Sequence, residues 1–420
     1  MSDDQFIPFS RPSISEEDVE AVAETIRSGW WTTGPRVREF EAEFAEYVGA
    51  GHAVAANSCT AGLHVALRAR GVGPGDLVVV PTNTFAASGE VVLYLGATPV
   101  LMDTEDESMC VDPSMLSSFV DMLEADDPAA ALDEGENSGA ISGGVRRVMR
   151  GREDARLAAV IPVHFAGQSC DMTTIAGAAE RCGASIIGDA AHAIETTYGS
   201  TSVGALGDAA AFSFYATKNL STGEGGMVTT DDGELADHMR RLTLHGISQD
   251  AWKRYTKQGS WFYEIQEVGY KYNMTDLAAT LGLNQLGRID AMSERRRAIV
   301  GEYQKRLADV PGLRLPTDQG RGRHAWHLYI VRLALGELSI DRADFIDRLN
   351  EAGVGTSVHF IPLHMHPLYR DEYGYREGDY PVAERTFERC VSLPLYPSLS
   401  DADVERVCDA VTRICVEHQR

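Results

Sequence analysis

The sequence predicts an α/β fold in which a mostly parallel sheet is sandwiched by helices and followed by a smaller α+β portion. Three observations predict it. Short apolar runs alternate with helix-period segments over the first 280 residues or so. A long helical pattern then intervenes, and beyond it the order of elements changes. The chain has 420 residues, 44% hydrophobic and 24% charged, which is enough for two domains with substantial cores. We expect residues 1–290 to form the larger domain and 291–420 the smaller.

The alternation begins with strands over 52–56, 77–80 and 98–102, separated by helices over 63–70 and near 86–95. It resumes later with a strand over 157–162, a helix over 172–182, and strands over 185–188, 209–214 and 226–229. The stretch between, 125–154, is rich in Asp, Glu, Gly, Ala and Ser with few apolar anchors, and reads as a surface insertion. Leu281, Leu286, Ile289, Met292, Ile299, Tyr303 and Leu307 keep helical spacing up to Pro311-Gly312, predicting one long helix between the two domains. Past it, 327–333 and 356–361 read as strands and 342–351 as a helix ended near Gly353. Ser400, with Asp403 three residues on, marks the start of a last helix.

Composition excludes several classes. A formal charge of −24 argues against nucleic acid or an anionic membrane surface, because both demand a positive footprint. No stretch approaches the roughly 18 apolar residues of a membrane span, and the acidic start MSDDQF is unlike a signal peptide, so a cytoplasmic location is expected. The seven cysteines form no CxxC pair and are odd in number, as suits reduced thiols, and no metal site is implied. Only five lysines occur, at 218, 253, 257, 271 and 305, so a reaction needing one lysine has few candidates.

Four segments carry candidate chemistry. In IIGDAAHA an apolar strand ends on Asp189, where ligands of open parallel sheets bind; a carboxylate there either caps a following helix or pairs with a cation such as a protonated pyridine nitrogen. In FSFYATKNLSTGEGGM, Lys218 follows Ser213 by five residues, and Phe212, Phe214 and Tyr215 crowd its approach. A lysine kept from water loses its ammonium proton readily and can condense with an aldehyde, although a surface lysine is the usual alternative. In NSCTAGLHVAL, small hydroxyl residues lead into a helix whose free N–H groups suit a phosphate ester or an ordinary cap. Phe85 in PTNTFAAS can stack on a flat ring or pack in the core.

Taken in order, the turn at Ser58–Ala61, Phe85, Asp189 with His192, Ser213 and Lys218 resemble the DegT/DnrJ/EryC1/StrS family of sugar aminotransferases, within the fold-type I pyridoxal phosphate enzymes. The likeness extends to SGWWTTGPRVREFE, LTLHGIS, GYKYNMTDLAATLGLNQL, HAWHLYIVRL and GVGTSVHFIPLH, and so to nearly the whole chain. Within the family, DAAHA, GYKYN and HAWHLYIVR look most like the group that aminates UDP-4-keto-arabinose and UDP-linked 4-keto hexoses. The resemblance implies pyridoxal 5′-phosphate as cofactor, with pyridoxamine 5′-phosphate in the second half-reaction. It places Ser58, Thr60, Ala61 and Ser213 at the phosphate, Phe85 on the ring, Asp189 at the pyridinium nitrogen, His192 by the phenolic oxygen, and Lys218 as the imine lysine. Asn273 would reach the phosphate or substrate from a second subunit of a homodimer. Many members read GYNYR at this segment, with asparagine where this chain has Lys271, so the contact falls to Lys271 or Asn273. Trp31, Thr33, His359 and His364 are implied sugar-nucleotide contacts.

The implied reaction moves an amino group from L-glutamate, which leaves as 2-oxoglutarate, to a keto sugar on a nucleoside diphosphate. A dehydratase of the same family carries histidine where this chain has Lys218. A regulator that keeps the fold without catalysis would need a DNA-binding helix or basic patch, and a nicotinamide enzyme would need GxGxxG where this chain has NSCTAG.

Overall fold

Seven of the apolar runs pair into one sheet. The computed structural model describes residues 6–247 and 263–420; Lys253, Lys257 and the end of LTLHGIS lie outside these. The strands of the sheet are β1 (His52–Ala56), β2 (Leu77–Pro81), β3 (Thr98–Met102), β4 (Leu157–Val160), β5 (Ser185–Asp189), β6 (Ala209–Ser213) and β7 (Gly226–Thr230). Their spatial order is β1-β7-β6-β5-β4-β2-β3, and only β7 runs against the rest. Leu-Val-Val-Val-Pro in β2 is buried at every position, as a strand covered on both faces must be. Helices α1 (Glu16–Ser28), α2 (Pro35–Val48), α3 (Cys59–Ala69), α4 (Ala86–Tyr94), α5 (Pro113–Leu123), α6 (Pro128–Ser138), α7 (Gly143–Met149), α8 (Met172–Cys182) and α9 (Gly233–Leu242) belong to this part of the chain. A second, three-stranded antiparallel sheet holds β8 (Leu313–Arg314), β9 (Tyr329–Leu333) and β10 (Cys390–Leu393).

Three expectations need correction. The 276–310 pattern is two helices, α10 (Asp276–Leu286) and α11 (Ile289–Leu307), broken at Gly287-Arg288. There the Arg288 guanidinium turns to the buried Asp18 carboxylate, 2.5 Å away. α11 contributes Ile289 and Met292 to one apolar cluster and Ile299, Val300, Tyr303 and Leu307 to another, so it belongs to two cores at once. The 356–361 run is not a strand. Ser357 exchanges two hydrogen bonds with Ser392 of β10, and the chain then leaves to donate from Leu363 N to Thr82 O at 2.8 Å.

The 125–154 stretch is not a loosely anchored insertion. Leu132, Ile141, Val145, Val148 and Met149 are buried in the main core, and Gly144 lies so close to the rings of Tyr375 and Tyr380 that a Cβ would meet them within 3 Å. Small residues hide this apolar spacing in the sequence, because one Ile or Leu per turn suffices once glycine lets two elements approach. Among the described residues no helix is long and apolar enough to cross a membrane.

Candidate active site

The carboxyl ends of β1, β2, β5 and β6 open on one cavity of about 480 Å³, within the roughly 300–1,000 Å³ usual for small-molecule sites. β1 leads through Asn57 to Ser58, whose extended backbone and side chain cap α3: Ser58 Oγ accepts from Ala61 N at 3.1 Å. Ser58, Cys59 and Thr60 line the cavity, and amides in a helix's first turn lack intrahelical acceptors. Ala61 does not line it; it is buried, with its N–H already given to Ser58. A Cβ on Gly226 of β7 would come within 2.5 Å of Ser58 and Cys59 backbone, so the glycine turn after Lys218 is what lets β7 pass beneath this helix start.

Asp189 is the last residue of β5 and is buried. Turns follow it rather than a helix, so it is no helix cap; its Oδ2 accepts from Ser88 Oγ at 2.7 Å and its Oδ1 from Ala191 N at 3.1 Å. Burial pushes its carboxyl up from the usual range, and Ser88, Ala191 and Lys218 pull the other way. β6 ends on Ser213, and a turn in which Lys218 N donates to Tyr215 O at 2.9 Å aims Lys218 into the same cavity. Burial lowers the Lys218 amine to about 8 against the partial support of Asp189 and Cys59.

The aromatic crowding expected around Lys218 is corrected by the structure. Phe212 and Phe214 point to the opposite side, their centroids 5.0 Å from Phe44 and 5.2 Å from Phe40 respectively. Only Tyr215 of the three lines the cavity; His192, His327, His359 and Phe360 supply the remaining cover. His192 Nδ1 accepts from Ala166 N at 3.2 Å, and its ring lies over His327 with centroids 4.4 Å apart. Phe85 stands 63% exposed at the rim. His359 Nδ1 is 2.8 Å from Ser392 Oγ, and burial holds this imidazole down to about 4.

The other expected residues lie elsewhere. His364 has no exposed surface; its Nδ1 meets Thr82 Oγ1 and its Nε2 meets Glu384, each at 2.8 Å, so it is a core histidine and not a substrate contact. Thr33 and Asn273 line a separate cleft with Trp30, Arg38 and Arg240. Asn273 Nδ2 donates to Thr33 Oγ1 at 2.7 Å, and Lys271 Nζ donates to Asn273 Oδ1. Trp31 is exposed beside this cleft, its indole N–H given to Ile26 O at 3.0 Å. The 271–273 segment touches the back of the turn at Ser58 through Asn57 N, which donates to Tyr272 O at 2.6 Å.

Sequence reasoning missed Ser88, Phe9, Thr217, Glu224, Phe360 and His327. His327 stands within HAWHLYIVRL, whose alternation announces only a strand, and nothing local marks Ser88 as the partner of a residue 101 positions away.

A lysine whose burial lowers its amine to about 8, sharing with a buried carboxylate one cavity at the carboxyl edge of a mostly parallel sheet, has the make-up of an α/β enzyme that works through an amine nucleophile. The DegT/DnrJ/EryC1/StrS aminotransferase family model matches residues 12–125 and 142–412, and the chain belongs to that family. The unmatched stretch between holds α6. The spore coat polysaccharide biosynthesis protein SpsC of Bacillus subtilis is 47% identical over 97% of both chains. Among solved structures, the putative sugar aminotransferase Spr1654 of Streptococcus pneumoniae in its PMP form superimposes with a TM-score of 0.83, 32% identity and 98% of each chain covered. DesV of S. venezuelae, in complex with a ketimine intermediate, gives 0.79 at 32% identity, over 97% of this chain and 99% of that one. The protein is thus a sugar aminotransferase by family.

Proposed function

We propose that this chain transfers an amino group from L-glutamate to the keto carbon of a sugar carried on a nucleoside diphosphate, with a UDP-linked 4-keto sugar as the leading class. The observation that carries the reading is the convergence of Ser58, Thr60, Phe85, Asp189, His192, Ser213 and Lys218 on one cavity. These groups fit pyridoxal phosphate. The α3 start, with Ser58 and Thr60, joins Ser213 in offering donors to a phosphate, Phe85 offers a ring face, and Asp189 offers a desolvated carboxylate to a pyridinium N–H. His192, with Nδ1 occupied, offers an N–H to the phenolic oxygen. Bound there, the cofactor supplies an electron sink for loss of the donor's α-proton and a carrier for the amino group.

The chain's own part is proton handling and orientation. Lys218, with an amine lowered to about 8, would hold the cofactor's aldehyde and, once freed, would take up the donor's α-proton and redeliver it. Asp189 would keep the ring nitrogen protonated, since pairing with that cation offsets the desolvation that burial imposes on its carboxylate. We further propose a homodimer in which the Trp31, Thr33 and Asn273 cleft of one subunit completes the Lys218 cavity of the other.

The test is direct. Protein reconstituted with pyridoxal phosphate should show imine absorbance that borohydride fixes to Lys218 and that Lys218→Ala lacks. Loading with pyridoxamine phosphate and adding nucleotide keto sugars should return the aldehyde absorbance. Response to a simple keto acid alone, with every sugar silent, would make it an amino-acid aminotransferase instead.

A further inference from the structure

The cavity wall carries a second histidine whose protonation state is dictated by groups behind it. Asn219, next to Lys218, is buried, and its Nδ2 lies 2.9 and 3.2 Å from the two carboxylate oxygens of Glu195 and 3.1 Å from Ala325 O. A carbonyl and a carboxylate accept, so only one orientation of the Asn219 amide satisfies them. Its Oδ1 then faces His327 Nδ1 at 3.0 Å and must accept, which puts the His327 proton on Nδ1. Arg296, also buried, backs this arrangement from 4.0 Å beyond Glu195 and donates to Asn219 O at 3.4 Å.

His327 therefore presents its Nε2 as a bare acceptor. Among the described residues this atom has no hydrogen-bond partner, and the ring lines the cavity. His192, tilted against it at 38°, is set the opposite way, because Ala166 N–H occupies its Nδ1 and leaves Nε2 to carry the proton. Burial, aided by nearby Lys218, holds both imidazoles well below their ordinary value and so neutral. Two adjacent rings thus offer one donor and one acceptor.

We propose that His327 Nε2 accepts a hydrogen bond from a hydroxyl of the incoming sugar, and that Asn219 and Glu195 are positioning residues that hold it in the accepting tautomer. The inference rests on the sugar aminotransfer reading above and adds a specificity element to it. A polyhydroxylated substrate satisfies this acceptor, whereas a simple keto acid leaves it unpaired, and unpaired buried groups discriminate strongly.

The tautomer is measurable without cofactor or sugar, by 15N NMR of the full chain labelled at histidine, with the His327 signals identified by His327→Gln. The Nδ1–H form alone is expected, with conversion to a mixture in Asn219→Ala. Kinetics supply the second readout: with UDP-4-keto-6-deoxyhexose as probe, Asn219→Ala and the gentler Glu195→Gln should raise KM about tenfold, with a smaller change in kcat, as loss of one neutral hydrogen bond does. An Nε2–H tautomer in the unaltered protein, a tautomer indifferent to Asn219→Ala, or a fall in kcat at constant KM would overturn the proposal. Failure of the unaltered protein to act on any nucleotide keto sugar would count against the functional reading, while the NMR result decides the tautomer independently.

Discussion

Ser88→Ala removes a single oxygen from behind Asp189 and should weaken cofactor binding from a position that sequence gives no reason to touch. Ser88 Oγ is fully buried, donates to Asp189 Oδ2 at 2.7 Å and meets Thr84 Oγ1 at 2.8 Å, so no water stands ready to replace it. A hydrogen bond to a charged group contributes about 1.5–3 kcal/mol. Its loss removes a group that favours the charged form and so raises the Asp189 carboxyl beyond the upward shift that burial already causes. The carboxylate form is the one that grips a pyridinium, so affinity for pyridoxal phosphate should fall about ten- to a hundredfold. The sign fixes the pH dependence: a raised carboxyl pKa leaves more of the neutral acid at low pH, so the deficit should be larger at pH 6 than at pH 9. Absorbance titration of cofactor-free protein at both values measures it. Equal affinities for Ser88→Ala and the parent at pH 6 would show that the Asp189 charge is not what holds the ring.

Three further outcomes are expected. In cofactor-free protein, Lys218 should label with a small aldehyde and cyanoborohydride at a rate that climbs about tenfold per pH unit below 8 and levels above it, because burial lowers its amine to about 8; a plateau beginning only above pH 10 would mean an ordinary solvated lysine. His364→Ala should cost roughly 2–4 kcal/mol in stability by removing a buried ring and the side-chain partner of Thr82 and Glu384, with affinity for pyridoxal phosphate changed by less than about twofold, and a strong loss of affinity at unchanged stability would restore it as a site residue. Ile141→Ala should cost about 2–4 kcal/mol in chemical denaturation, since its side chain is buried against the main core, whereas a change under about 0.5 kcal/mol would fit the loose insertion that composition suggested.

The strands over 52–56 and 98–102 and the helices over 172–182 and 342–351 were legible to the residue, because each is a local pattern bounded by its own caps or turns. Ser400 accepting from Asp403 N at 3.1 Å is the start of the final helix as read. The 356–361 run failed for the same reason that the others succeeded. Its β-branched alternation is real, but pairing depends on a neighbour, and past Ser357 the segment turns away to line the cavity with His359 and Phe360. His364 was misplaced because a histidine in an exposed turn and one sealed between Thr82 and Glu384 look alike in one dimension.

What sequence alone determined was the chemical cast: a carboxylate at a strand end, one lysine beside a glycine turn, hydroxyl residues opening a helix, and an aromatic after the second strand. Residue type and spacing suffice for these, since strand ends and helix starts are themselves local. Tertiary structure decided which of them share a volume, that Ser88 rather than a helix holds Asp189, that histidines and Phe360 rather than Phe212 and Phe214 cover Lys218, and that Asn219 faces His327. Those are properties of burial and of partners tens to hundreds of residues apart, and desolvation and hydrogen-bond complementarity exist only once the chain has closed around them.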